Sequence, residues 1–296
     1  DYGNPIQTFS KAGALLMENT MATQALIRHR IGIGFRYLLL ITLTLVIILP
    51  FVLGLWTSFL PTTTIAKGSL SGTLSWQNYQ DAFTKTPILR YLFNSLVISI
   101  IQMIAHLFFA SIAAYAFVFL EFKYRDALFY LVLATMMLPF EAEVIPNFHT
   151  VRAMHLLNHY AVMVIPFLTS AFGIFMLRQA FLQIPRDLKE AADVDGLSHW
   201  QFYCRVALPY SRISLLTLAA YSFLGSWNQY LWPMLTTFSN RLRPVQDGLR
   251  QLHSEETATN WGLVQASAAI VVIPTLIVLF WGQHYFKSGL NEGSVK

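Results

Sequence analysis

The chain has 296 residues, of which 55% are hydrophobic and 12% are Asp, Glu, Lys or Arg, with a net charge of +5. Soluble domains carry about 25% charged residues, so an ordinary soluble globular protein is excluded. The basic residues flank apolar runs, which fits topology signals and lipid headgroups rather than nucleic acid. One cysteine, Cys204, excludes an intrachain disulfide and a cysteine metal cluster.

Residues 1–36 form a polar, basic segment with Lys11, Arg28, Arg30 and Arg36. Met17 and Met21 are candidate start residues, so the first 16–20 residues read as an extension. No cleavable signal peptide is expected, because the first apolar run is long enough to remain as an anchor. Five runs contain no charged residue: 37–60, 91–120, 160–177, 213–240 and 262–283, with 24, 30, 18, 28 and 22 residues. A helix needs about 20 apolar residues to cross the hydrocarbon core. A sixth run, 127–140, is too short alone and is expected to continue through Glu141 and Glu143 to Phe148. Bare backbone cannot face lipid, and these runs are too long and uniform for barrel strands. The expected fold class is therefore an all-α membrane protein with six transmembrane helices.

Pro50, Pro139, Pro166, Pro233 and Pro274 punctuate the runs and predict kinks. Trp56, Trp76, Trp232, Trp261 and Trp281 lie near run ends, where amphipathic rings settle at headgroup level. Six spans put both termini on one side. That side carries 13 Lys and Arg residues against 7 on the other, so both termini are expected in the cytoplasm. The expected organisation is an N-terminal cytoplasmic segment 1–36, a transmembrane domain 37–286 and a cytoplasmic tail 287–296. The transmembrane domain includes an inner loop 184–209 and an external loop 238–261.

The inner loop has helix grammar. Pro185 suits a helix start, and Asp187 in the first turn favours the dipole. Gly196 sits where that helix stops. Ser198 with Gln201 predicts a capping box opening a second short helix, and Pro209 marks its end. The small residues Ala191, Ala192 and Gly196 permit close approach of another protein. Glu190, Asp193 and Asp195 give that surface charged edges. A plain amphipathic surface hairpin fits the same residues.

Glu190-Ala191-Ala192, then Asp195-Gly196, then Leu208-Pro209 resembles the EAA motif of bacterial ATP-binding-cassette (ABC) importer permeases. Leu197 departs from the pattern, where Ala is usual. The resemblance extends over residues 36–296, through Asn94-Ser95, Ala113-Ala114-Tyr115-Ala116, Met137-Leu138-Pro139 and Trp227-Asn228-Gln229-Tyr230-Leu231-Trp232-Pro233. It includes the terminal Lys287-Ser288-Gly289-Leu290-Asn291-Glu292-Gly293-Ser294-Val295-Lys296. Together these are similar to MalG-type permeases of the carbohydrate-uptake class. Leu138-Pro139-Phe140-Glu141 and Phe202-Tyr203-Cys204 are similar to the UgpE-like, glycerol-3-phosphate members of that class.

The resemblance implies a type I ABC importer permease (MetI-like) fold, carrying a sugar or oligosaccharide, anionic ones included, in the bacterial cytoplasmic (inner) membrane. A glycerol-3-phosphate or glycerophosphodiester importer is the alternative within the family. The implied partners are a second permease, as a heterodimer, two copies of a cytoplasmic ABC ATPase, and an external solute-binding protein. The implied coupling residues, which contact the ATPase, are Glu190, Ala191, Ala192, Asp195 and Gly196. No phosphate-binding loop G-x-x-x-x-G-K-[ST] occurs in the sequence. No enzyme activity and no cofactor are expected in this chain, and ATP and Mg are bound by the partner ATPase.

Polar groups inside apolar runs are expensive and mark functional candidates. Asn94, Glu141, Trp227, Asn228, Gln229 and Tyr230 are the candidates for the substrate path, with Gln102, His106, Glu143 and Ser226 beside them. Aromatic faces and amide donors at 227–230 suit sugar C–H faces and hydroxyls, and suit helix packing equally. Glu141 and Glu143 also fit a wet outer end of the third span, and His106 a helix–helix contact. Arg241, Arg243 and Arg250 in the external loop are the candidates for contact with the binding protein, and would also favour an anionic solute. Asp247, His253, Glu255 and Glu256 share that loop. A proton-coupled secondary transporter using Glu141, Glu143 or His106 is the rival from another class. It lacks an evident inverted repeat and leaves the EAA loop unexplained. No filter-like segment suggests a channel, and the eight histidines are scattered.

Overall fold

The computed structural model describes residues 33–253 and 260–292. Most of the N-terminal segment, Glu255, Glu256 and the last four residues lie outside them, as do the side chains of His253 and of residues 283–292. Among the described residues every regular element is a helix. The chain divides into two units, Asp1–Trp56 and Thr57–Lys296. Helix α1, Ile33–Thr57, supplies the described part of the first. Pro50 lies inside it and leaves the Val46 carbonyl without its helical donor.

The second unit opens with two short helices, α2 (Thr62–Ala66) and α3 (Gln77–Lys85). Asn78 of α3 is buried, and its amide donates to Ser58 O and Leu60 O, both at 2.8 Å. Helix α4, Ile88–Phe119, is 32 residues long and contains neither Gly nor Pro, so nothing interrupts it. Its buried positions recur every three to four residues: Tyr91, Asn94, Ser95, Ile98, Ser99, Gln102, and later Ala110, Ser111, Ala114 and Tyr115. Small and hydrogen-bonding residues on one stripe let helices approach closely where hydrophobicity alone gives no drive.

The third run departs from expectation. A continuous span over 127–148 was anticipated, but two helices stand there, α5 (Arg125–Thr135) and α6 (Phe140–Ala153), bent by 98°. Pro139 is extended (φ −68°, ψ 137°) and caps α6. A residue before proline avoids the α region, so the helix stops in the Met136–Leu138 turn. The fourth run is also broken. Helix α7 (Tyr160–Val164) tightens into a 3-10 turn at Ile165–Phe167, and α8 (Ala171–Leu182) follows with a 42° bend. Ser170 caps α8 by accepting from Gly173 N at 3.1 Å.

Between α8 and the fifth run lie α9 (Arg186–Val194), α10 (His199–Phe202), a π turn (Tyr203–Ala207) and α11 (Leu208–Tyr210). The fifth run is α12 (Arg212–Trp227), then a break at Asn228–Tyr230, then α13 (Leu231–Thr236). Helix α14 (Val245–His253) occupies the predicted external loop. Helix α15 (Trp261–Glu292) is the sixth, with Pro274 inside it and its apolar stretch at Trp261–Gly282. Among the described residues three helices, α1, α4 and α15, are long and apolar enough to cross a membrane, and five spans result if each bent pair counts as one. The remaining expected crossing, the fifth run, holds α12, which has 16 residues and a length of about 24 Å.

Helix α4 is the axis of the second unit, with α8 and α12 against it and α15 against α12 and α3. Gly173 lets α8 sit close: an added Cβ would stand 3.1 Å from the Ala110 and Leu218 side chains. Polar bridges cross the packing. His106 Nδ1 meets Ser222 Oγ at 3.0 Å and its Nε2 meets Phe167 O at 2.8 Å. A carbonyl only accepts, so Nε2 carries the proton and Nδ1 accepts from Ser222. Trp232 Nε1 donates to Val162 O at 2.8 Å.

Candidate functional site

The predicted inner loop forms two short helices. Pro185 is extended (φ −57°, ψ 138°) and opens α9, with Asp187 in its first turn. Gly196 has φ +72°. Gly196 N donates to Asp193 O at 3.1 Å and Leu197 N to Ala192 O at 2.9 Å. This pair of bonds is a Schellman cap, in which the left-handed residue is usually glycine. Its hydrophobic partner is Leu197, which packs on the same buried cluster as Ala192. The departure from the usual Ala at this position therefore has a packing role. Ser198 and Gln201 form the expected capping box: Ser198 Oγ accepts from Gln201 N at 3.3 Å, and Gln201 Oε1 accepts from Ser198 N at 2.8 Å.

The second helix is not regular. It widens into a π turn over Tyr203–Ala207 before Pro209. A regular helix there would drive the Pro209 ring toward the Arg205 carbonyl, and a wider turn relieves that clash. The helix also runs one residue past Pro209, to Tyr210.

Of the five predicted coupling residues, Glu190, Ala191, Asp195 and Gly196 are exposed, while Ala192 is buried against the bundle. Val194 lies beside them at 88% exposure, an apolar side chain offered to whatever covers this surface. Lys189 pairs with Asp193 and lies over the Phe202 ring at 5.5 Å.

The loop is tied to the last turns of α4. Tyr115 OH donates to His199 O at 3.0 Å, and Ser111 Oγ and Tyr203 OH share a bond of 2.7 Å. Burial pushes the Tyr203 hydroxyl above its ordinary range, against the opposing pull of the Ser111 bond, so the group stays protonated and able to donate. Around these bonds Tyr115 packs against Phe119, Phe202 and Tyr203. Neither tie was anticipated from the sequence, since tyrosines at the ends of apolar runs carry no signal of their partners.

Of the predicted path residues, Asn94 and Asn228 bond to the segment 241–246, and Trp227 shares a buried cluster with Val245. Asn94 is 1% exposed and fully used. Its amide donates to Arg241 O at 3.0 Å and Arg243 O at 2.9 Å, and its carbonyl oxygen accepts from Tyr160 OH at 2.9 Å. It clamps the loop before α14. Trp227, also 1% exposed, stacks on Phe223 at 5.7 Å within a buried cluster. Asn228 and Tyr230 are exposed and Gln229 is half-buried. Asn228 caps α12, donating to Leu224 O at 2.9 Å and accepting from Gln246 Nε2 at 3.3 Å. Glu141 is exposed and Glu143 half-buried in the first turn of α6, where carboxylates suit the helix dipole.

The three loop arginines differ. Arg243 is buried, with its Nε 2.6 Å from Asp247 Oδ2 and its other nitrogen on Asn240 and Gln251. Its charge is spent inside the loop and is not on offer to a soluble partner. Arg250 is exposed beside the same Asp247 at 3.4 Å. Arg241 is exposed.

Residues 106–292 match the family of binding-protein-dependent transport system inner membrane components. The chain belongs to this family. The matched residues cover the last 14 residues of α4 and all of α5 to α15, and include the whole inner loop. Among the relatives is the sn-glycerol-3-phosphate transport system permease protein UgpE of Yersinia pestis, 30% identical over 278 residues, which are 90% of this chain and 99% of that protein. Another is the arabinooligosaccharides transport system permease protein AraQ of Bacillus subtilis, 32% identical over 224 residues, covering 75% of this chain and 79% of it. A chain of the bacterial ABC transporter that imports the acidic polysaccharide alginate has the same fold. Its TM-score is 0.75 at 20% identity, covering 97% of this chain and 99% of that one. The fold is therefore the all-helical, MetI-like one, and the chain is an inner-membrane permease component of the carbohydrate-uptake class. The proton-coupled alternative loses its basis with that membership.

Proposed function

We propose that this chain is one permease of an ATP-driven importer for a sugar or oligosaccharide, and that α9 with its Gly196 cap is the joint through which a partner ATPase moves it. The observation that carries this is the division of labour in the inner loop. Ala192, Leu197, Phe202 and Tyr203 lock the loop onto α4 and α8, while Glu190, Ala191, Val194, Asp195 and Gly196 face outward. A rigid element with one anchored face and one bare face transmits force by rigid-body motion. Two ATPase copies, a second permease beside this one, an external binding protein, and both termini in the cytoplasm belong to the same proposal. ATP and Mg belong to the ATPase. Asn228, Gln229, Tyr230 and Glu141 are the path residues whose side chains remain accessible, and Arg241 and Arg250 are the accessible arginines for the binding protein.

Two solute readings have support among the relatives, which are named for arabinooligosaccharides and for sn-glycerol-3-phosphate at similar identity. Competition uptake with both in cells carrying the intact system separates them. The joint is tested by Val194→Asp, which places a charge on open surface. The variant should insert and melt like the parent, yet lose the co-purifying ATPase and ATP-driven uptake. Unchanged ATPase recovery together with unchanged uptake would remove α9 from the role.

A further inference from the structure

Leu89, Arg90, Phe93 and Asn94 on the first turns of α4, Tyr160 at the start of α7, and Arg241 before α14 line one cleft of about 530 Å³. Its back is built by the Asn94 clamp, whose amide and carbonyl fix the Arg241 backbone and the Tyr160 hydroxyl. Two arginines from separate elements thus line the same cleft. Arg243, two residues along, is neutralised by Asp247. Arg90 and Arg241 have no ion pair or side-chain hydrogen bond among the described residues. Arginine does not shed its proton at any ordinary pH, so both keep their charge, and an anion in the cleft is attracted by both. The guanidinium fork matches phosphate oxygens in two-point contact. Leu89 and Phe93 are exposed on the same walls, at 61% and 63%, and suit an apolar group attached to that anion.

The geometry points to a binding site for a phosphate ester between Arg90 and Arg241, with Asn94 and Tyr160 as positioning residues. The ester is either a soluble organic phosphate or the headgroup of an anionic phospholipid. This site is independent of the inner-loop joint, because its occupancy is measured without ATP or transport.

The test uses the full chain, purified with the subunits that accompany it, in phosphatidylcholine nanodiscs. Phenyl phosphate is titrated in one arm, and phosphatidylglycerol replaces part of the lipid in the other, with thermal unfolding as the readout. Arg90→Gln and Arg241→Gln each weaken the anion-dependent stabilisation by about tenfold in apparent affinity, the worth of one charge-assisted bond. Arg90→Lys and Arg241→Lys lose less, and Lys67→Gln, which removes a cation outside the cleft, loses nothing. A response to phenyl phosphate with this pattern assigns a soluble ester, and a response only to phosphatidylglycerol assigns a lipid headgroup. No response in either arm overturns the site, as does a response that the arginine variants share in full. Both arginines are exposed, so the variants should melt no lower than the parent without anion, and that comparison is made first.

Discussion

Gly196 separates two reasons for a glycine. Its φ of +72° is a conformation that side chains other than glycine adopt reluctantly, yet nothing lies within 4 Å of a Cβ built on it. Space is therefore not the constraint in this chain; backbone angle is. An L-residue in the left-handed region costs about 1–2 kcal/mol, least for Asn and most for β-branched side chains. At about 1.4 kcal/mol per tenfold, that shifts the ratio of capped to uncapped α9 by roughly an order of magnitude. The cost falls on the cap bonds from Gly196 and Leu197 and not on the bundle. Gly196→Asn should retain most ATP-driven uptake, Gly196→Ala less, and Gly196→Val least, with nearly constant melting temperatures across the series. Uptake and ATPase activity in reconstituted vesicles give the ranking. A loss that follows side-chain volume, with Asn worse than Ala, would refute the backbone argument and place a partner surface directly on Gly196.

Other substitutions test the packing. Gly248→Ala should destabilise by about 1–3 kcal/mol through overpacking, because the new Cβ would stand 2.2 Å from the Tyr91 ring; Tyr91→Leu should recover part of the lost melting temperature. Ser111→Ala should cost about 1–3 kcal/mol by stranding the buried Tyr203 hydroxyl, and Tyr203→Phe should cost less, because Ser111 Oγ keeps its bond to Phe108 O; the double variant should cost less than their sum in a thermal-unfolding cycle. Asn94→Asp turns the two donors that hold Arg241 O and Arg243 O into an acceptor, so proteolysis of residues 238–244 should accelerate. Asp81 is held below the usual carboxylate range by its bonds to Lys85 and Gln77. Its folded state is the more acidic, so its contribution is complete above the unfolded value and is lost as pH falls through the folded one. Lys85→Met should therefore flatten the melting-temperature decline in the acid range.

The inner loop was legible because each of its signals is local. Pro185, Gly196 and the Ser198–Gln201 pair act through bonds only three to five residues apart, and all three appear where the spacing puts them. The apolar runs were legible for their existence and less so for their continuity. Pro139 and the fall in hydropathy at Glu141 and Glu143 both mark the break, but neither gives its 98° angle. The path candidates were less legible for a different reason. A polar residue in an apolar run announces that it has a partner, and in one sequence Asn94 does not say whether the partner is a solute or the carbonyls of Arg241 and Arg243, 147 and 149 positions away. Arg243 poses the same problem: its charge is visible in the sequence, and its neutralisation by Asp247 is visible only in the fold.

Helix α4 holds a loop at each end. Asn94 and Ser95 grip the backbone of Arg241, Arg243 and Val245 near its start, and Ser111 and Tyr115 grip Tyr203 and His199 near its finish. From Asn94 to Tyr115 the rise is about 32 Å, with no proline or glycine along the way. A strut of that kind tilts more readily than it flexes, so a push on one clasp arrives at the other as displacement of the same stiff body.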